Sequence, residues 1–371
     1  ALDIRDPKTK KHADASAHIE QMPAALDHLT QDLFKALGWP LPKAGALGTT
    51  NAYALRDAMI GLEILSLQTF GPLQKNILPP GSLKKAKLHC DHASELDKRW
   101  AVPLGCSAAA EALHGDNDKA IELAERSKSA QGFAAMAPLA AYFARWQKGE
   151  KDKALVGIRA AADAHPTYLR YLGCAGEHAQ AVEDHALAKK TFERFLEVSP
   201  ENTYALVKLG KSLARLGDGE AALKTTMKAV DKSPKDVTVL VELGSRQIDL
   251  KKYDEAEKTL QAALGADKHD ARAYLRLGYL YLLEKKADKA SEILQQSISQ
   301  ANLDEEWRIK ALAFYDLARA HAQAKAKDEA FKALDQALAG GFDDRSELEK
   351  EADFEPLKSD PRWAQLVAKL H

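Results

Sequence analysis

Hydrophobic and small residues fall into helical stripes along most of the chain. Between residues 203 and 236, Leu206, Leu209, Gly210 and Leu213 recur at the three- and four-residue spacing of one helix face. A turn follows at Gly217-Asp218-Gly219, and Ala222, Thr226 and Ala229 form the packing face of a second helix that stops before Pro234. So short a turn forces the two helices antiparallel. The pattern therefore predicts a helical hairpin.

The hairpin recurs. Gly176, Gly210, Gly244 and Gly278 are spaced 34 residues apart; Ala120, Ala154, Ala188, Ala222, Ala256 and Ala290 keep that interval, as do Pro166, Pro200 and Pro234. Small residues let neighbouring helices approach closely, and proline cannot continue the helix before it. Fixing the frame on these residues gives blocks 101–134, 135–168, 169–202, 203–236, 237–270 and 271–304, with a seventh resuming near Ala311 after a short insertion, Glu305 to Lys310.

Residues Tyr204-Ala205-Leu206-Val207-Lys208-Leu209-Gly210 and Tyr274-Leu275-Arg276-Leu277-Gly278-Tyr279 resemble the tetratricopeptide repeat, a 34-residue helical hairpin. The likeness weakens toward the N-terminus, where Ala108 and Tyr142 replace the glycine and block 101–134 lacks the closing proline. The resemblance implies an all-α, right-handed superhelical solenoid of antiparallel helix pairs, in which the first helices line a concave groove that binds a protein or peptide.

The expected organisation is a divergent N-terminal helical region over 1–100, six regular units over 101–304, a seventh over 305–339 and a C-terminal cap over 340–371. Gly340-Gly341 ends the last repeat helix, and Asp360 before Pro361 reads as an N-cap with a first-turn proline. This stretch is similar to the end-of-group module that closes bacterial arrays of this type. In the N-terminal region, Lys11–Leu37, Asn51–Phe70 and Ser82–Trp100 read as helices between proline- and glycine-rich breaks, and the polar residues 1–10 read as poorly ordered.

The frame also reads out the groove. One end is small or apolar and includes Met136, Leu139 and Phe143; the other is mixed with a basic excess, carrying Lys208, Lys211, Arg215, Glu242, Arg246, Arg272, Arg276 and Tyr279. An apolar face of this kind is covered either by residues 1–100 or by an amphipathic partner segment. Arg272 and Arg276, one turn apart, could converge on a carboxylate with Lys211 opposite. This partly resembles the clamp by which some members of the family hold a C-terminal carboxylate. Glu242 stands where that clamp has asparagine, and would instead pair with Lys208 or Arg276 across the groove.

Candidate chemistry is sparse. His89 and His92 lie one helical turn apart in Leu88-His89-Cys90-Asp91-His92, with Cys106 and His114 as further candidates. Two metal ligands, a Cys90–Cys106 disulfide and ordinary surface or core residues all fit that pattern. No nucleophile elbow, phosphate loop or dinucleotide fingerprint occurs, so neither an enzyme nor a cofactor is expected.

Charge and composition remove further classes. The 53 basic and 54 acidic residues cancel, and no basic stripe with interleaved aromatics appears, so nucleic acid is not an expected partner. No apolar run is long enough to span a membrane. The opening Ala-Leu-Asp-Ile fits a mature secreted chain as well as a shortened one. A periplasmic or cell-envelope location is favoured, with the cytoplasm as alternative and a structural subunit docking through 1–100 as the second functional reading.

Overall fold

A computed structural model describes residues 2–5, 12–15, 49, 51–66, 81–132, 134–301 and 307–370. The chain divides into two compact units, Ala1–Arg194 and Phe195–His371. Among the described residues both are built of antiparallel helix pairs, apart from one short two-stranded ladder.

That ladder opens the first unit. Strand β1 (Leu2–Arg5) pairs antiparallel with β2 (His12–Ala15), Leu2 opposite Ala15 and Arg5 opposite His12. Residues 2–5 are therefore ordered, and residues 12–15 form a strand rather than the first turn of the expected helix. Leu2 and Ile4 alternate with Asp3 and Arg5, which suits the two-residue period of a strand. The rest of the expected 11–37 helix lies outside the described residues.

Helix α1 (Ala52–Ser66) starts on Asn51, whose side-chain oxygen accepts from the backbone N–H groups of Tyr53 and Ala54, each at 3.0 Å. Helix α2 (Ser82–Leu96) ends before the expected Trp100, because the backbone leaves the helical region at Asp97. It packs on α3 (Ala101–His114), to which a Cys90–Cys106 disulfide joins it with the two Cα atoms 5.7 Å apart. Gly61 of α1 lies against the bridge, where a Cβ would collide with Cys90 Sγ. The remaining helices of the unit are α4 (Asn117–Ser127), α5 (Met136–Gln147), α6 (Lys151–Ala164), α7 (Leu169–Ala181) and the first part of α8 (His185–Val198).

The second unit continues with α9 (Thr203–Arg215), α10 (Gly219–Lys232), α11 (Val237–Asp249), α12 (Tyr253–Ala266), α13 (Ala271–Leu283), α14 (Ala287–Gln300), α15 (Trp307–Gln323) and α16 (Lys327–Ala339). Asn202, Asp236 and Asp270 cap α9, α11 and α13 at one register position, each accepting a backbone N–H three residues on.

The glycine series marks where the two helices of a hairpin touch. A Cβ at Gly210 would lie 2.5 Å from Thr226 Oγ1, at Gly244 2.7 Å from Leu260 Cδ2 and at Gly278 2.6 Å from Leu294 Cδ2. In the first unit, a Cβ at Gly176 would lie 2.6 Å from Phe192 Cζ. Each facing residue follows its glycine by the same sixteen positions. The alanine series from Ala120 to Ala290 is buried without exception. Ala330 joins it once the insertion after residue 304 is counted.

Residues after α16 form α17 (Arg345–Lys350), a 3-10 turn (Ala352–Leu357) and α18 (Pro361–Val367). Phe342, Leu348, Phe354, Leu357, Trp363 and Leu366 enter one core with Tyr315 and Phe331 of the last repeat. Buried Arg319 of α15 clasps the segment, reaching Asp316 at 3.0 Å, Glu351 at 3.1 Å and Asp353 at 3.2 Å; Asp353 also meets Lys285 at 2.8 Å. Burial pushes the Asp316 carboxyl up to about 6, against the pull of Arg319.

Two predictions follow from this packing. Gly244→Ala adds helix propensity worth about 1 kcal/mol but drives a methyl into Leu260. We expect a net loss of ~1–3 kcal/mol in urea unfolding, with favourable coupling to Leu260→Ala in a double-mutant cycle. A stabilised Gly244→Ala, or strict additivity, would contradict the close approach. At Asp316, the folded chain keeps a proton that the unfolded chain has lost between its ordinary value of 3.8 and about 6. This stabilisation is complete at low pH and is lost as pH rises to about 6. Relative to Asp316→Asn, the parent should lose at most ~1.4 kcal/mol per pH unit across that window and stay level above it. Parallel stability profiles for the two proteins would refute this.

Candidate functional site

The 34-residue interval places Lys208, Glu242 and Arg276 at one register position of α9, α11 and α13, Lys211, Ser245 and Tyr279 at the next, and Arg215 with Asp249 beyond. In the second unit these first helices line an open cavity of about 490 Å³. Lys211 and Arg215 line it from α9, Glu242, Arg246 and Asp249 from α11, and Arg276 and Tyr279 from α13. The volume lies in the range of ordinary ligand pockets.

Its charges are unevenly matched. Arg246 lies between two carboxylates of its own helix, Asp249 at 3.5 Å and Glu242 at 3.8 Å. Its Nε is buried with no hydrogen-bond partner. Among the described residues, Lys211, Arg215 and Arg276 have no carboxylate within salt-bridge reach. Lys211 keeps an exposed surface, but partial desolvation by the surrounding atoms, reinforced by the positive charges of Lys208, Arg215 and Arg276, holds its ammonium below its ordinary value although Glu242 opposes the shift. Tyr279 lies on the cavity wall and carries the Arg319 guanidinium 5.5 Å from its ring centre.

Several expected contacts are different. Glu242 pairs with Arg246 rather than with Lys208 or Arg276, because the i,i+4 neighbour on its own helix is within reach without crossing the groove. Lys208 places its ammonium 5.5 Å from the ring centre of Tyr204. Arg272 does not converge with Arg276: it folds back on the cap residue Asp270 at 2.6 Å and reaches Thr238 at 3.3 Å. A tethered carboxylate two residues away wins over an open groove. Met136, Leu139 and Phe143 are buried in the first unit and offer no open apolar face. Close packing of α5 on α3 accounts for part of this, since Gly105 admits Ala134 and Ala137. Asp249 was missed by sequence reasoning, although its register with Arg215 could have revealed it.

The histidine cluster has a centre that the sequence did not disclose. Asp57 of α1, buried, meets His89 Nδ1 at 3.0 Å, His92 Nδ1 at 2.7 Å and Arg56 at 3.1 Å. Burial opposes ionisation of Asp57, yet hydrogen bonds from His89, Arg56 and His92 outweigh it and hold the carboxyl below its ordinary value. Cys90 and Cys106 are bonded to each other, so neither sulfur is a free thiol. Among the described residues, no three His, Cys, Asp or Glu side chains are arranged to hold a metal ion. Cys174 lies outside the disulfide and is buried, and burial pushes its thiol up to about 12.

Residues 174–237 and 247–313 match tetratricopeptide-repeat family models. A solved tetratricopeptide repeat protein from Parabacteroides merdae shares the fold, with a TM-score of 0.53 at 13% identity over 85% of this chain and 99% of that one. A thermophilic repeat protein of Thermus thermophilus is similar over 52% of this chain and 95% of its own, at 21% identity and a TM-score of 0.42. The repeat protein YrrB, described as having an unusual peptide-binding site, matches at 21% identity and a TM-score of 0.35 over 58% of this chain and 94% of its own. A search of curated proteins finds no match. Residues 174–237 and 247–313 are thus similar to tetratricopeptide repeats, and the paired-helix fold agrees with that likeness. Among the described residues, no helix is long and apolar enough to cross a membrane.

Proposed function

We propose that this chain is a non-enzymatic scaffold that holds a protein or peptide partner on the face built by α9, α11 and α13, within an assembly of the bacterial envelope. One observation carries the choice of face. Lys211, Arg215 and Arg276, from two different first helices, line one open cavity, and among the described residues none of the three has a carboxylate within salt-bridge reach. The non-enzymatic reading is supported by the likeness of residues 174–237 and 247–313 to tetratricopeptide repeats, which typically serve as interaction scaffolds. The envelope is supported by the Cys90–Cys106 bond, since disulfides persist in oxidising compartments.

A photo-crosslinking residue at Arg215 should trap the partner in the native host, and one at Lys258 on the second helix of a hairpin should not. Equal yields from both positions would remove the proposed face. For the compartment, alkylation of the denatured, unreduced protein taken directly from cells should modify one cysteine of the three, Cys174. Modification of all three would count against both the bond and the envelope.

A further inference from the structure

We infer that the cavity on α9, α11 and α13 receives an acidic segment of the partner, read through side-chain carboxylates rather than a chain terminus. This rests on the face proposed above and adds the chemistry of what fills it. The lining carries four cations, Lys211, Arg215, Arg246 and Arg276, against two acids, Glu242 and Asp249. Both acids lie within ion-pair distance of Arg246, the cation between them, while Glu242 also acts on Lys211 through space. The uncompensated charges therefore sit on the flanks: Lys211 and Arg215, one turn apart on α9, and Arg276 two hairpins further on.

That distribution selects the ligand. A single terminal carboxylate brought to the middle of the cavity would face Glu242 and compete with two tethered acids for Arg246. Carboxylates separated along a chain can instead meet the two flanks, while an uncharged residue passes over α11. An extended segment rises about 3.3 Å per residue and alternates its side chains, so acidic residues two apart point the same way toward the cations. Arginine and lysine in a partly desolvated cavity favour such partners through charge-assisted hydrogen bonds. The positive charges that already weigh on Lys211 mark the same spot.

The test uses the purified full chain and short peptides carrying an uncharged fluorophore, read by anisotropy at low salt. An amidated Gly-Glu-Gly-Glu-Gly-Glu probe should bind and its glutamine counterpart should not. Lys211→Gln with Arg276→Gln should weaken binding at least tenfold, with the helical circular dichroism unchanged. Glu242→Gln should tighten it several-fold, an effect that a merely structural glutamate would not give. Equal binding of the glutamine peptide, or no tightening in Glu242→Gln, overturns the inference. Binding that requires a free C-terminal carboxylate on the glutamine peptide would overturn it in favour of terminus recognition. Binding confined to a phosphoserine version would do so in favour of a phosphopeptide. If these probes fail while Arg215 still crosslinks the partner, the face stands and only its chemistry is wrong; if crosslinking fails too, both fall.

Discussion

The fold depends on the close approach of two helices at a position that has no room for a side chain. At Gly176, Gly210, Gly244 and Gly278 the first helix of a hairpin lies so near the second that a methyl group would meet Phe192, Thr226, Leu260 or Leu294 at 2.5–2.7 Å. The approach fixes how thick a hairpin is, and thickness fixes how the next one stacks. Because each hairpin repeats the contact, residues 34 apart become neighbours. Lys211, Ser245 and Tyr279 share one wall for that reason. An interior packed to crystal density cannot absorb an extra atom at the crossing without shifting this register.

The turns show how strongly the stack imposes itself. From α3 onward the turn after the first helix of each hairpin holds a residue in the left-handed conformation, and glycine supplies it at Gly115, Gly149 and Gly217. At Glu183, Lys251, Lys285 and Lys325 a residue with a Cβ is held there at φ near +60°. That conformation costs such a residue ~1–2 kcal/mol, and the packing of the hairpin outweighs it.

The repeat was legible because it is a statement about spacing, and spacing survives without coordinates. The three series predicted where helices stop and which faces they bury, and the cap positions Asn202, Asp236 and Asp270 extend them to a fourth. The N-terminal region offers no such period. Asp57 gathers His89 and His92 from 32 and 35 residues away, and Cys90 finds Cys106 across a helix boundary. Only folding brings these groups together. The candidate site was half legible: register placed Lys211, Glu242, Arg276 and Tyr279 on one face, but not which carboxylate each cation would choose. Arg272 turns to Asp270 and Glu242 to Arg246 because a partner on the same or adjacent turn costs less side-chain entropy than one across a groove.

Those local choices determine what the cavity can discriminate. With 53 basic and 54 acidic residues, the chain has no net field to draw a charged partner from a distance. At physiological ionic strength, screening over about 8 Å would erase most of one in any case. Selectivity must therefore be exercised at contact, where the cavity excludes part of the solvent and the same charges interact more strongly. Glu242 and Asp249 then act as a filter. Two carboxylates against the single guanidinium of Arg246 leave the centre negative and the flanking cations exposed, so a ligand is judged by the separation of its negative charges rather than by their sum. Reversing the pairing, with Glu242 bound to Arg276, would have left one compact cationic centre instead. A change of rotamer at Glu242 is enough to separate a site that reads spacing from one that reads a single charge.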